Sequence, residues 1–180
     1  VNVFRNLSFK VREFRFSFNK LLRKFLLKKK DFTLLKMFFT KQEQLFKYFI
    51  DNNNGLGYKN KLLYNLKGDM KWFKERTMGH AVVMGGKTHC SIPGGVLKGR
   101  SNFVVSRTLP VSKEYHLYNS TINVILGLPK HPDAKGKKIY IIGGGDIYRD
   151  LIHHANYLEL TIVDTASKAD TFFPEIDPDI

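Results

Sequence analysis

"KKIYIIGGGDIYRDLIHHA", residues 137–155, is the stretch that decides the fold. Ile139, Tyr140, Ile141 and Ile142 make a short continuous apolar run, the pattern of a strand buried on both faces. Gly143, Gly144 and Gly145 follow at once, and a helix begins behind them. Glycines have no side chains, so backbone N–H groups there can approach a ligand closely. The helix N-terminus adds partial positive charge, which suits a diphosphate. A tight strand-to-helix turn with no ligand explains the triplet equally well. The spacing is not GxGxxG, so the dinucleotide fold with that fingerprint is not supported.

The same logic recurs upstream. "HAVVMG" (80–85) is a short apolar strand ending in glycine, and "KTHCSI" (87–92) reads as a brief helix with Lys87 and Thr88 at its head. "PGG" breaks it. "SNFVVSR" (101–107) is a third strand, ending in Ser106 and Arg107. "LFKYFI" (45–50), "EYHLYN" (114–119) and "YLELTIVD" (157–164) complete the strands. Ser120 caps "TINVILGL" (121–128), a helix stopped by Pro129. "DMKWFKERTM" (69–78) is a helix with Asp69 at its cap and Met70 and Phe73 three residues apart. Strands alternating with helices predict an α/β fold with a mainly parallel central sheet. Ligands gather at the carboxyl ends of such strands. Three ends bearing Gly, Thr, Ser, Lys and Arg predict a phosphate-rich ligand. A surface role for Lys87, a turn or ion-pair role for Arg100 and an ordinary strand role for Thr161 are the plain alternatives.

Composition sets the bounds. The chain has 180 residues, 43% of them hydrophobic, enough for one domain with a real core. No apolar run approaches the ~20 residues that span a bilayer. Cys90 is the only cysteine, which excludes an intrachain disulfide and a cysteine metal site and points to a reducing, cytoplasmic setting. No metal is expected. Net charge is +14, and residues 1–45 carry +9 of it through 12 Lys/Arg against 3 Asp/Glu. Residues 1–43 are therefore read as a basic extension and 44–180 as the folded domain. Within the extension, "FKVREFRFSF" (9–18) alternates like a strand and "NKLLRKFLLKKK" (19–30) reads as a short basic amphipathic helix. Such a tail can bind nucleic acid or anionic lipid. A solvated extension is the plainer reading, with no specific nucleic-acid partner. No small-residue cleavage site follows an apolar core, which argues against a secretory signal. Met37 offers an internal start.

In order and spacing, five segments resemble dihydrofolate reductase. They are "GLGYKNKLLYNLKGDMKWFK", "AVVMGGKT" with "SIPGGVLKGRSNFVVSR", "IYIIGGGDIY", "LTIVD" and "ADTFFPEID", together spanning roughly residues 50–177. The resemblance implies a central sheet with four flanking helices and NADPH across its carboxyl edge. It implies hydride transfer to the pterin ring of dihydrofolate, in a monomer. Carried over by position, Asp69 is the pocket carboxylate, bonded to the pterin and oriented by Thr161. Desolvation of such an acid raises its pKa, which suits proton handling near neutrality. Phe73, Ile92 and Leu97 enclose the pterin and its benzoyl extension, Ile142 and Tyr148 complete the substrate side, and Arg100 clamps the glutamate carboxylate with help from Lys74. Leu56, Gly57 and Lys61 lie on a lid over the nicotinamide. Lys87, Thr88, Ser106, Arg107 and Asn119 contact phosphates and adenosine. Gly143, Gly144, Gly145, Asp146 and Ile147 hold the diphosphate.

The chain departs from the family in places. Leu63 and Tyr64 stand where the lid usually carries Pro-Trp; Tyr64 is expected to hydrogen-bond a bridging water. Gly86 replaces the arginine that pairs with the 2′-phosphate, which bears on preference for NADPH over NADH. His89 and Cys90 replace a common Trp-Glu pair. Lys47, Tyr48 and Phe49 put bulk where small residues adjoin the nicotinamide. The family continues through two antiparallel strands beyond "FFPEID", so the expectation is that they are missing and that Leu158–Val163 is left as a sheet edge. These departures support an alternative: a truncated or decayed homologue that binds nucleotide with little catalysis.

Overall fold

A computed structural model describes residues 11–17, 44–64 and 67–175, with side chains at 11–17, 44–49, 67, 69 and 160 outside that description. The basic helix expected at 19–30 lies outside the described residues.

Strands β2 (Gln44–Asp51), β5 (Ala81–Gly85), β6 (Ser101–Val105), β7 (His116–Tyr118), β8 (Ile139–Ile141) and β9 (Tyr157–Val163) form a parallel array. β1 (Val11–Ser17) adds to it antiparallel, and the order is β1-β9-β2-β8-β5-β6-β7. β3 (Gly55–Tyr58), β4 (Lys61–Leu62) and β10 (Thr171–Phe172) make a second, small antiparallel sheet. Four α-helices occur among the described residues: α1 (Lys67–Thr77), α2 (Gly86–Ser91), α3 (Thr121–Gly127) and α4 (Gly145–Leu151).

The apolar strands form where they do because both sheet faces are covered. Along β5, Ala81 and Val83 join one cluster with Phe103, Ile139 and Ile141, against Ile147, Tyr148 and Leu151 of α4. Val82 and Met84 point the other way and pack with Val104, Tyr115 and Tyr140. Burying each side chain of this size contributes about 1.5–3 kcal/mol. The packing leaves the carboxyl ends of β2, β5, β6 and β8 on one edge, at Asp51, Gly85, Val105 and Ile141.

Several expectations are corrected. Helix α1 starts at Lys67, so Asp69 is its third residue rather than its cap; an acid in the first turn still complements the helix dipole. On this helix Met70 is exposed and Phe73 half-buried. The helix stops where Gly79 takes φ 76° and the Thr77 hydroxyl donates back to the Phe73 carbonyl at 2.7 Å. α3 does end before Pro129, at Gly127, and the chain tightens into a 3₁₀ turn, Leu128–Lys130, with Pro129 in its first positions, where proline's missing N–H is no loss. The Ser120 cap is present, its hydroxyl accepting from the Asn123 amide at 3.2 Å. Leu158–Val163 is not an edge. Val11–Ser17 pairs with the whole of β9, from Val11 opposite Val163 to Ser17 opposite Tyr157.

Candidate active site

The carboxyl edge is built around a seam between β5 and β8. The Gly85 amide donates to the Gly143 carbonyl at 2.6 Å, and the Ile142 amide to the Val83 carbonyl at 2.8 Å. Gly143 has φ 116°, and the Gly143–Gly144 peptide is cis. A Cβ on Gly143 would lie 2.9 Å from the Tyr148 hydroxyl, and one on Gly144 3.3 Å from Thr88 Oγ1. A Cβ on Gly85 would come within 3.1 Å of Ile147. Glycine is thus required at Gly143 by both conformation and space. Ile147 and Tyr148 are buried, and burial pushes the Tyr148 phenol well above its ordinary pKa, so it stays protonated. Gly144 and Gly145 are half-buried and Asp146 is exposed, ion-paired to Arg149 at 3.0 Å.

Two open grooves lie on the β5–β6–β7 side of this edge. One, of about 680 Å³, is lined by Lys59, Lys61, Gly86, Lys87 and Ser106 among others. The other, of about 900 Å³, is lined by Ser106, Arg107, Tyr118, Asn119, Ser120 and Asn123. Ser106 borders both. A Cβ on Gly86 would meet its hydroxyl at 3.0 Å, so the missing side chain lets the serine turn sit close. The grooves bring together Lys61, Lys87, Ser106, Arg107 and Asn119, five of the positions expected to contact cofactor. Tyr118, Ser120 and Asn123 were not anticipated as lining residues; their position beside Asn119, after a strand, was the available signal.

On the other side of β5 lies the second cluster. Ile92, Leu97 and Ile142 are half-buried against Val82, Met84 and Tyr140. Asn102 fixes the Leu97 loop: its carbonyl oxygen accepts from the Leu97 amide at 2.9 Å, and its amide donates to the Leu97 and Arg100 carbonyls at 3.1 and 3.0 Å. Arg100 donates from Nη1 to Thr77 Oγ1 at 3.0 Å, and its guanidinium carbon lies 6.0 Å from the centre of the Phe73 ring. Its Nε is buried with no acceptor among the described residues. Burial draws the guanidinium below its ordinary pKa without making it neutral. Lys74 is exposed on the same helix. Thr161 is buried at 2% exposure on β9, opposite Phe49 of β2. Its expected bond to Asp69 involves a side chain outside the described residues.

The segment 55–64 is tied down by the segment after β9. The Lys59 amide donates to Asp170 Oδ2 at 2.7 Å, and the Asp170 amide to the Gly57 carbonyl at 3.0 Å. The Tyr64 hydroxyl shares a 2.7 Å bond with Ser167 Oγ. Buried Asp51 accepts from the amides of Asn53 and Gly55 on one oxygen and of Ser167 on the other. Leu56 is buried and Gly57 half-buried. Asp51, Ser167 and Asp170 were missed, because the bonds that join the two segments, Ser167 to Asp51 and Lys59 to Asp170, each link a carboxylate to a backbone amide more than 100 positions away.

Comparison with known proteins fits this geometry. The dihydrofolate reductase family model matches residues 48–180. Dihydrofolate reductase of Buchnera aphidicola (subspecies from Acyrthosiphon pisum) is 35% identical over 127 residues, 70% of this chain and 75% of that protein. The Haemophilus influenzae enzyme of the same name is 34% identical over 124 residues, 69% and 74% of the two chains. That of Bacillus subtilis is 32% identical over 132 residues, 73% and 76%. The chain belongs to the dihydrofolate reductase family of oxidoreductases.

Proposed function

We propose that this family member reduces 7,8-dihydrofolate to 5,6,7,8-tetrahydrofolate, with NADPH as cofactor. The observation that carries the reading is the Gly85–Gly143 seam, where two strand ends meet at 2.6 Å with Thr88, Ile147 and Tyr148 around them. Side-chain-free backbone beside two grooves fits a dinucleotide. Lys59, Lys61 and Lys87 on one groove and Arg107 on the other supply positive charge for its phosphates, in place of the arginine that Gly86 lacks. The cofactor, when bound, supplies the hydride. The remaining work falls to the chain's own residues. Ile92, Leu97 and Ile142, with Phe73 beside Arg100, are assigned the apolar lining that excludes water from a flat ring. Arg100, held by Thr77 with its Nε unsatisfied, suits a carboxylate at the far end of the substrate. Asp69, in the first turn of α1, is assigned the bond to the pterin amino group and ring nitrogen and the management of the proton, with buried Thr161 assigned to orient it. Segment 55–64, laced to 164–170, is assigned the role of lid.

A second reading, a family member that binds nucleotide without turnover, is favoured by Gly86, which leaves the 2′-phosphate position without its arginine. One experiment separates the two. NADPH oxidation is followed with dihydrofolate in the wild-type chain and in Asp69→Asn. Turnover that falls at least ~100-fold in the variant at neutral pH is expected. Absence of turnover in folded wild-type protein that still binds NADPH selects the second reading, and equal rates in both remove Asp69 from its role.

A further inference from the structure

We infer that His116, His131 and Asp133 form a binding site for one divalent transition-metal cation, with Zn²⁺ the best match to their donors. One donor nitrogen from each imidazole and one carboxylate oxygen lie within 4.8 Å of one another. His116 Nε2 and Asp133 Oδ2 are 2.8 Å apart, and the two imidazole centres 4.1 Å. A tetrahedral zinc ion with bonds of about 2.0–2.2 Å needs its donors about 3.3–3.6 Å apart, between the 2.8 Å of the closest pair and the 4.8 Å limit of the group. Small side-chain rotations suffice. Two imidazole nitrogens with one carboxylate oxygen suit zinc and its neighbours, whereas calcium and magnesium take oxygen ligands.

The donors are held in place before any ion arrives. The Phe103 ring touches both imidazoles, His131 edge-on at 5.1 Å and His116 at 4.8 Å, and is itself fully buried. The turn carrying His131 and Asp133 is closed by the Ala134 and Lys135 amides, which donate to the His131 carbonyl at 3.0 and 3.1 Å. Ala134 is fully buried and anchors that turn to the core. A plain ion pair accounts for His116 and Asp133. It does not account for a second imidazole brought to the same point. Coordination replaces the proton that His116 Nε2 now donates to Asp133. On His131, Nδ1 accepts from the Asp133 amide at 3.2 Å, and a cation that takes this lone pair displaces that bond.

The site is separate from the carboxyl edge. His116 opens β7 opposite Phe103 of β6, whereas the groove beside Asn119 lies past the other end of that strand. A cation there would clamp the 131–135 turn to the outer strand β7. The inference does not depend on the proposed reductase activity.

The test is titration of the full chain with Zn²⁺ alone by calorimetry, and with Co²⁺ by visible absorption. One equivalent bound in the micromolar range and a raised Tm are expected. Asp133→Asn and His131→Gln each weaken binding at least ~10-fold, while His153→Gln leaves it unchanged. Asp133 is exposed, so its substitution leaves the core intact. No saturable binding, or binding indifferent to both substitutions, overturns the site.

Discussion

Replacing Asp51 by asparagine tests how the two segments over the carboxyl edge are joined. The carboxylate is 1% exposed. Oδ1 accepts from the amides of Asn53 at 3.0 Å and Gly55 at 2.7 Å, and Oδ2 from Ser167 at 2.7 Å. An asparagine keeps one acceptor oxygen for the first pair, but its NH₂ then faces the Ser167 N–H, donor against donor. The loss is one hydrogen bond to a charged acceptor, worth about 1.5–3 kcal/mol, plus desolvation of a donor left without a partner. A net destabilisation of about 3 kcal/mol follows, a large share of the ~5–15 kcal/mol that holds a domain together. At ~2–4 °C per kcal/mol for a chain of this size, Tm falls by about 6–12 °C. Urea unfolding is expected to shift its midpoint with the slope unchanged, and amide exchange at Ser167 to accelerate. A change below about 1 kcal/mol, or unaltered protection at Ser167, refutes the bond as the joint between these segments.

Three further outcomes are expected. Arg100→Lys raises KM for dihydrofolate ~10–100-fold and leaves KM for NADPH alone, because a point charge cannot replace the planar fork held by Thr77; equal effects on both ligands would place Arg100 elsewhere. Gly143→Ala destabilises by at least about 2 kcal/mol, since its Cβ meets the Tyr148 hydroxyl at 2.9 Å and φ is 116°. Adding Tyr148→Phe relieves only the contact, so full recovery in the double variant contradicts the backbone part of that statement. His80 has its pKa lowered by burial and then by Lys138 and Lys137, so below its ordinary ~6.5 the unfolded chain binds the proton more readily. Its contribution is fully present above pH ~6.5 and is lost as pH falls through the lower folded value. His80→Gln flattens the stability–pH curve in that window, and an identical curve for both proteins disproves the assignment.

What could be read in the sequence follows from what the local chain determines. β5, β6 and β8 were legible because a strand covered on both faces must be apolar at nearly every position, and Val82 to Met84, Asn102 to Val104 and Ile139 to Ile141 are buried throughout. The Ser120 cap was legible because capping uses a hydroxyl three residues from its amide. The helix of Asp69 was legible, but not its start, since Lys67 and Gly68 carry no periodic apolar signal. The glycine seam was visible, yet its meaning required Gly85 and Gly143 to be neighbours, 58 positions apart in the chain. Asp51, Ser167 and Asp170 stayed hidden for a stronger reason: backbone N–H groups are present at every residue, so composition cannot mark which one a carboxylate will choose. The alternation at 9–18 announced a strand, but only the register with β9 says what it covers.

Strand β9 lies between β1 and β2, the first two described strands, and β2's other neighbour is β8. Residues 44–51 therefore have no sheet partner until residues 139–163 have been synthesised. On a growing chain, the pairs β5–β6 and β6–β7 can form early, whereas one flank of the sheet waits for the late strands. Pairings this remote in sequence carry a loop-closure cost before they return any contact energy, so they form slowly. During that interval the apolar, unpaired "LFKYFI" is the segment most open to chaperones or to a neighbouring copy. Inserting β9 between β1 and β2 is thus a constraint on the order of birth as much as on the finished shape.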